Sequence, residues 1–277
     1  MKKILVPTDF SACAKAAEVC ALDLAKKLKA ELVFLHILLT PVDWSKLSKE
    51  QEDFYPETQK EIAKAKDYLN SLLKSAENYG LVAHKLIVYS NGGEKIHKFI
   101  QSEKIDFVVM GSHGQYGLRD HILGSNTYSM IRRSDVPVII VKEGQNNLKL
   151  ENIVFATNLK EDTGQYFKSI EKFAKIVGAS LKILYVNTPT YFLETNEILK
   201  LGESFLKNFA DESHEIFIQD AFREERGIIQ FSVNQNADSI ALVTYGKSDL
   251  VQYFNPSITE NLIAMSHLPV ISMLVKK

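Results

Sequence analysis

The sequence predicts an α/β protein made of two doubly wound domains in tandem, each a five-stranded, mainly parallel sheet with helices on both faces. Three observations predict it. Strand-like apolar runs alternate with helix-like runs along the 277 residues, a pattern that calls for parallel strands covered on both sides. Four short segments recur in the same order in the second half of the chain, as two copies of one unit would require. One strand-like run, Phe107-Val108-Val109-Met110, ends in glycines rather than in polar turn residues. Right-handed crossovers between parallel strands then leave a doubly wound sheet as the simplest topology.

In the first copy, strands are expected over residues 3–6, 31–37, 82–88, 107–110 and 136–141, and helices over 11–28, 57–79, 94–103 and 125–133. The first helix carries Ala12, Ala16, Val19, Leu22 (or Cys20) and Leu24 at helical spacing, and Asp9 and Ser11 are both fit to cap it. The stretch from Trp44 to Tyr55 reads as a surface excursion. Residues 60–74 alternate charge with Ile62, Ala65, Leu69 and Leu72, as an amphipathic helix does.

The repeats place the second copy. Pro7-Thr8-Asp9-Phe10 is echoed by Ala156-Thr157-Asn158-Leu159, and Leu32-Val33-Phe34-Leu35 by Leu181-Lys182-Ile183-Leu184. Asp106-Phe107-Val108-Val109-Met110 matches Asp238-Ser239-Ile240-Ala241-Leu242, and Val136-Pro137-Val138-Ile139 matches Leu268-Pro269-Val270-Ile271. The boundaries are residues 1–143 and 151–277, with the polar stretch Glu143-Gly144-Gln145-Asn146-Asn147 as a short hinge.

Composition narrows the partners. A formal net charge of −1 favours neither nucleic acid nor an anionic membrane. The longest apolar runs are too short to span a bilayer, and the opening Met1-Lys2-Lys3 leads into a run broken at Pro7, unlike a signal peptide. The two cysteines, Cys13 and Cys20, fall on one helix about 10 Å apart, too far for a disulfide. They are read as packing thiols of a cytoplasmic protein.

The segment Gly111-Ser112-His113-Gly114, followed by Gly124-Ser125 at the start of a helix, points to a phosphate site. Glycine admits backbone N–H groups close to a ligand, and a helix start offers free N–H groups and partial positive charge. The ends of the first, second and fourth strands, at Asp9, Ile37 and Gly111, fall on the edge where doubly wound sheets bind ligands. Arg119 and His121, inside the loop, are read as solvated. A Walker loop, a dinucleotide fingerprint after the first strand, a nucleophile elbow and a metal-spaced histidine or cysteine set are all missing from the sequence.

These residues resemble the universal stress protein family. Pro7-Thr8-Asp9-Phe10-Ser11, His36-Ile37, Met110-Gly111-Ser112-His113-Gly114 and the spacing on to Gly124-Ser125 look like hallmarks of its ATP-binding branch. The resemblance implies a fold of the adenine nucleotide alpha hydrolase type, with ATP and Mg²⁺ as ligands of the first copy. It implies Asp9 and Ile37 beside the adenine, with Pro7 and Thr8 shaping that wall, and Met110 and Gly111 beneath the adenosine. Ser112, His113 and Gly114 would face the ribose and first phosphate, and Gly124, Ser125, Asn126 and Thr127 the distal phosphates. It also implies antiparallel pairing of the final strands, Val136 to Val141 with Val270 to Val275, as an intrachain pseudo-dimer.

In the second copy Val243 stands where Gly111 does, Pro256 where Gly124 does and Asn158 where Asp9 does. A branched side chain and a missing N–H donor are expected to remove the phosphate site there. The functional expectation is a nucleotide-dependent regulator or interaction module that binds a protein partner or a further copy of itself. Any enzymatic activity would be slow ATP hydrolysis or self-phosphorylation at Ser112 or Ser125. The alternatives are a nucleotide-free scaffold and an adenine-nucleotide-using hydrolase or transferase.

Overall fold

A computed structural model describes residues 1–92, 95–113, 123–245 and 258–275. The first half runs β1 (Lys3–Pro7), α1 (Ala12–Leu28), β2 (Glu31–Leu39), α2 (Lys49–Glu52), α3 (Pro56–Asn78), β3 (Ala83–Ser90), α4 (Lys98–Ser102), β4 (Phe107–Gly111), α5 (Ser125–Ile131) and β5 (Val138–Val141). The second runs β6 (Asn152–Ala156), α6 (Glu161–Val177), β7 (Ser180–Asn187), α7 (Thr195–Phe209), β8 (Ile216–Asp220), α8 (Glu224–Asn234), β9 (Ser239–Tyr245), α9 (Ile258–Met265) and β10 (Val270–Val275).

The ten strands form one sheet in the order β3-β2-β1-β4-β5-β10-β9-β6-β7-β8. Each half is parallel and reverses direction at its first strand, the doubly wound pattern. Among the described residues the seam is the one antiparallel pairing, with Val270 opposite Ile140, Ile271 opposite Ile139 and Ser272 opposite Val138. Val136 precedes β5, because Pro137 has no N–H for the ladder.

Strand alternation divides the apolar side chains between two layers. Ile4, Val6, Leu32 and Phe34 face α1 and α3, and their layer continues through Phe155, Phe167 and Phe205. Leu5, Val33, Leu35 and Val108 face the other side with Met130, Ile228, Phe231 and Leu262. The first layer crosses the seam without a break: the rings of Phe107 and Phe173 meet edge-on, 5.3 Å between centroids. The stretch expected to be a hinge is pinned. Gln145 receives a bond from the Lys142 N–H and donates to the His267 carbonyl, while the Cys20 thiol donates to the Gln145 carbonyl at 2.9 Å. Polar composition suggested slack, but here the polar groups are spent on tertiary bonds.

Backbone detail repeats as well. The left-handed residues Phe10, Lys29 and Lys104 correspond to Leu159, Gly178 and Asn236. Asp106 accepts from the Lys3 N–H as Asp238 does from that of Asn152. Thr8 accepts from the Phe10 N–H as Thr157 does from that of Leu159.

Three expectations are corrected. On α1, Val19 and Ala12 are exposed, and the buried face is a wider one built on Cys13, Ala14, Ala17, Cys20 and Ala21. Small side chains let one face of this helix lie close on the sheet, while α3, through Tyr68 at Glu18, and α6 cover further sides. The connection from Trp44 to Tyr55 runs over the surface as expected, with Trp44 buried among Leu38, Ile62 and Ala65 as its anchor. The fourth helix is only Lys98–Ser102, with no side-chain cap at its start. The fifth ends at Ile131, before the Arg132 guanidinium stacks over the Tyr128 ring.

Candidate functional site

The strand order of the first half reverses between β1 and β4, and three chain segments lie at the carboxyl ends of these strands. The first is the turn after β1. Pro7 closes the strand, and the Asp9 carboxylate accepts from the Ser11 N–H at 3.2 Å. Phe10 takes a left-handed φ of 68°. Ser11 caps α1 by accepting from the Ala14 N–H at 3.2 Å. Of the two caps foreseen, Ser11 closes the helix and Asp9 holds the turn before it.

The second segment is the end of β4. Met110 is buried in the layer opposite α1. A Cβ at Gly111 would lie 2.8 Å from the backbone carbon and the Cβ of Cys13. The missing side chain at Gly111 therefore lets the first turn of α1 rest on β4. Beyond it, the Ser112 N–H donates to the Val141 carbonyl at 2.8 Å. The Cys13 sulfur sits 3.4 Å from His113 Nε2, and the Ser112 hydroxyl 3.2 Å from His113 Nδ1.

The third segment is the start of α5. The Gly124 N–H donates to the Ser112 carbonyl at 3.0 Å, which brings the helix start against the β4 end. Among the described residues no side chain caps this helix or accepts from its first-turn N–H groups, and Ser125 and Asn126 are exposed. Thr127 departs from expectation: it is only 2% exposed, and its hydroxyl donates to the Gly111 carbonyl at 2.7 Å. That hydroxyl braces the β4 end and is not available to a phosphate. Ile37 lies one strand over, half-buried at the end of β2 beside Val88. Gly114, Arg119 and His121 fall outside the described residues, as do Pro256 and Ser257.

Behind the β1 turn lies a polar cluster the sequence reading missed. Glu18 of α1 is 4% exposed and accepts from the Thr8 hydroxyl and, at 2.8 Å, from the Tyr68 hydroxyl. His36 Nδ1 donates to the Thr8 carbonyl at 2.8 Å. Its ring stacks on Phe10 at 4.3 Å between centroids, and Phe10 in turn packs on Tyr68 at 4.4 Å. Burial holds the His36 imidazole below its ordinary pKa, so the ring is neutral at pH 7. The signal for Glu18 was its place in the stripe Ala14, Glu18, Ala21, Ala25, where a lone carboxylate interrupts small apolar residues.

Burial pushes the Glu18 carboxyl above its ordinary value of 4.5, outweighing the bonds from Thr8 and Tyr68 that pull it down. A raised folded-state value means the folded chain holds the proton more tightly than the unfolded one. The stabilisation from this group is complete below 4.5 and is lost as pH rises through the folded value. Glu18→Gln is therefore expected to gain stability relative to wild type as pH rises from 4.5 towards neutrality. Urea unfolding at stepped pH reads this, and parallel curves would contradict it. Glu18→Ala leaves two hydroxyls without their acceptor and is expected to cost about 1–3 kcal/mol.

These segments offer backbone donors, hydroxyls and a carboxylate turn on one sheet edge. No group of three or more His, Cys, Asp or Glu able to hold a metal occurs among the described residues. No helix of the described residues is long and apolar enough to cross a membrane.

Comparison with known proteins places this arrangement. The model of the universal stress protein family matches residues 1–142. Universal stress protein MJ0577 of Methanocaldococcus jannaschii is 34% identical over 154 residues, covering 51% of this chain and 94% of that protein. Universal stress protein YxiE of Bacillus subtilis is 32% identical over 149 residues, covering 50% of this chain and 98% of that protein. A crystal structure of a universal stress protein from Archaeoglobus fulgidus superposes over 99% of this chain and 98% of its own, with a TM-score of 0.72 and 21% identity. That likeness extends the shared fold to the second half. With its family match over residues 1–142 and its doubly wound sheet, the chain belongs to the universal stress protein family.

Proposed function

We propose that the first half, residues 1–143, binds ATP with Mg²⁺ at the β1/β4 crevice, and that the protein is a cytoplasmic, nucleotide-dependent regulator. The observation that carries the reading is the latch from the Gly124 N–H to the Ser112 carbonyl. It sets the first turn of α5, which no described side chain caps, beside the side-chain-free end of β4. Anionic oxygens suit such a cluster of free N–H groups. Asp9, Pro7, Thr8 and Ile37 would border the base, and the backbone of Gly111, Ser112 and His113 the ribose and first phosphate. Gly114 would continue that loop, and Ser125 and Asn126 the distal phosphates, with Thr127 acting as a brace. Mg²⁺ would be held by phosphate oxygens and water, since no protein carboxylate cage faces the crevice among the described residues.

Residues 151–277 act as a second domain without this nucleotide site, and the β5–β10 seam serves as an intrachain pseudo-dimer contact. Output passes to a protein partner or to this second domain. Ser112 is 4% exposed whereas Ser125 is open, so any slow self-phosphorylation would fall on Ser125.

Gly124→Pro is the sharp test. Gly124 has φ −63°, which proline adopts without strain, so the fold should persist while the latch to Ser112 loses its donor. Calorimetric titration of Mg²⁺-ATP is expected to give one site per chain in wild type and none in the variant. No binding by nucleotide-free wild type would instead favour a scaffold.

A further inference from the structure

The crevice of the second half has a different chemistry. Between the carboxyl ends of β6 and β9 lies a cavity of about 1090 Å³, whose wall includes Tyr185, Phe192, Phe205, Glu224 and Val243. That is at the upper end of the range of roughly 300 to 1,000 Å³ typical of small-molecule sites. It sits at the topological switch of its half, where such sheets take ligands.

The glycine-to-valine exchange explains the space. At Gly111 the bare backbone lets α1 lie directly on β4. Val243 presents a branched side chain at the corresponding point, and α6 packs against β9 far less closely than α1 does against β4. The change that spoils a phosphate site thereby opens a pocket walled by apolar and aromatic groups.

Its polar groups are selective. Glu224, half-buried at the start of α8, makes no hydrogen bond or ion pair among the described residues. Burial, then the neighbouring Glu225, push its carboxyl above the ordinary range, and no cation among the described residues offsets them. Tyr185 and Glu224 both line the cavity, and burial, then the Glu224 charge, push the Tyr185 phenol above its ordinary value. Glu161 adds a second carboxylate to the wall, against the single described cation Lys160. At the mouth, Tyr191 and Phe192 are 72% and 67% exposed, aromatic rings with no role in the core.

We propose that this cavity binds an organic cation: an ammonium group carried on an apolar, unphosphorylated body. The ammonium meets Glu224 and the face of Tyr185, as cations do with carboxylates and aromatic rings. The apolar body fills the space between Phe205 and Val243. A phosphorylated ligand is disfavoured by Glu224 and Glu161.

The test uses the full chain and three compounds matched in shape: 2-naphthylmethylamine as its ammonium, 2-naphthylmethanol and 2-naphthoate. Calorimetry is expected to rank them ammonium, then alcohol, then carboxylate, with one site per chain. Glu224→Gln is expected to weaken the ammonium about tenfold while leaving the alcohol unchanged. Phe192→Ala, at an exposed ring that the fold does not need, is expected to weaken both. Equal binding of ammonium and carboxylate, an unchanged ammonium affinity in Glu224→Gln, or no binding of any of the three would overturn the proposal. Mg²⁺-ATP titrated into Glu224→Gln keeps the first-half site separate, because that site shares no residue with this one.

Discussion

Gly111→Val is expected to abolish nucleotide binding and to cost about 1–3 kcal/mol of stability in the same step. The new Cβ would lie 2.8 Å from the Cys13 backbone carbon, and a backbone atom at the first turn of a helix cannot step aside as a flexible side chain can. The chain must either lift α1 from β4 or bend the β4 end. Lifting α1 displaces the Asp9 turn, and bending β4 moves Ser112 and with it the latch to Gly124. Urea unfolding and Mg²⁺-ATP titration on one sample read both effects. Retained nucleotide affinity together with lowered stability would separate the helix contact from the site.

The second large effect is expected at Glu171. This buried carboxylate of α6 accepts from the Asp211 N–H at 3.0 Å, the Glu212 N–H at 3.1 Å and His214 Nε2 at 2.6 Å. It fastens the loop between α7 and β8 to the helix layer. Glu171→Ala removes one acceptor and strands three donors, at an expected cost of roughly 3–5 kcal/mol, as when one partner of a buried pair is deleted. Glu171→Gln keeps one oxygen acceptor and should recover part of it. Chemical unfolding gives the magnitudes, and hydrogen exchange at Asp211 and Glu212 locates the loss. A cost below about 1 kcal/mol for Glu171→Ala would mean the loop is held by other means.

Much of the fold was legible because its signals are local. Pro7 and Gly111 end strands that are buried on both faces, and the spacing of Ile62, Ala65, Leu69 and Leu72 marks the buried stripe of α3. The candidate site was read from the sequence as a set of residues, without their contacts. Gly111 was read as room for a ligand, whereas its immediate neighbour is Cys13, which only the packing of α1 on β4 brings there. Thr127 was read as a phosphate donor because a hydroxyl in a helix start looks free in sequence. The carbonyl that claims it belongs to a strand sixteen residues earlier. Glu18 escaped notice because a charged residue on a helix is ordinarily assigned to solvent. The second cavity arises from a helix failing to approach a strand, and a missing contact leaves no pattern in the chain.

The β5–β10 seam lies within one polypeptide. In a symmetric dimer every substitution appears twice, so a change that damages one cleft damages its mate at the same moment. Here the two clefts are encoded separately while sharing a sheet. Val243 can replace a glycine on one side while Gly111 stays untouched on the other. Joining the halves frees each to specialise, with the partner's support guaranteed at fixed stoichiometry.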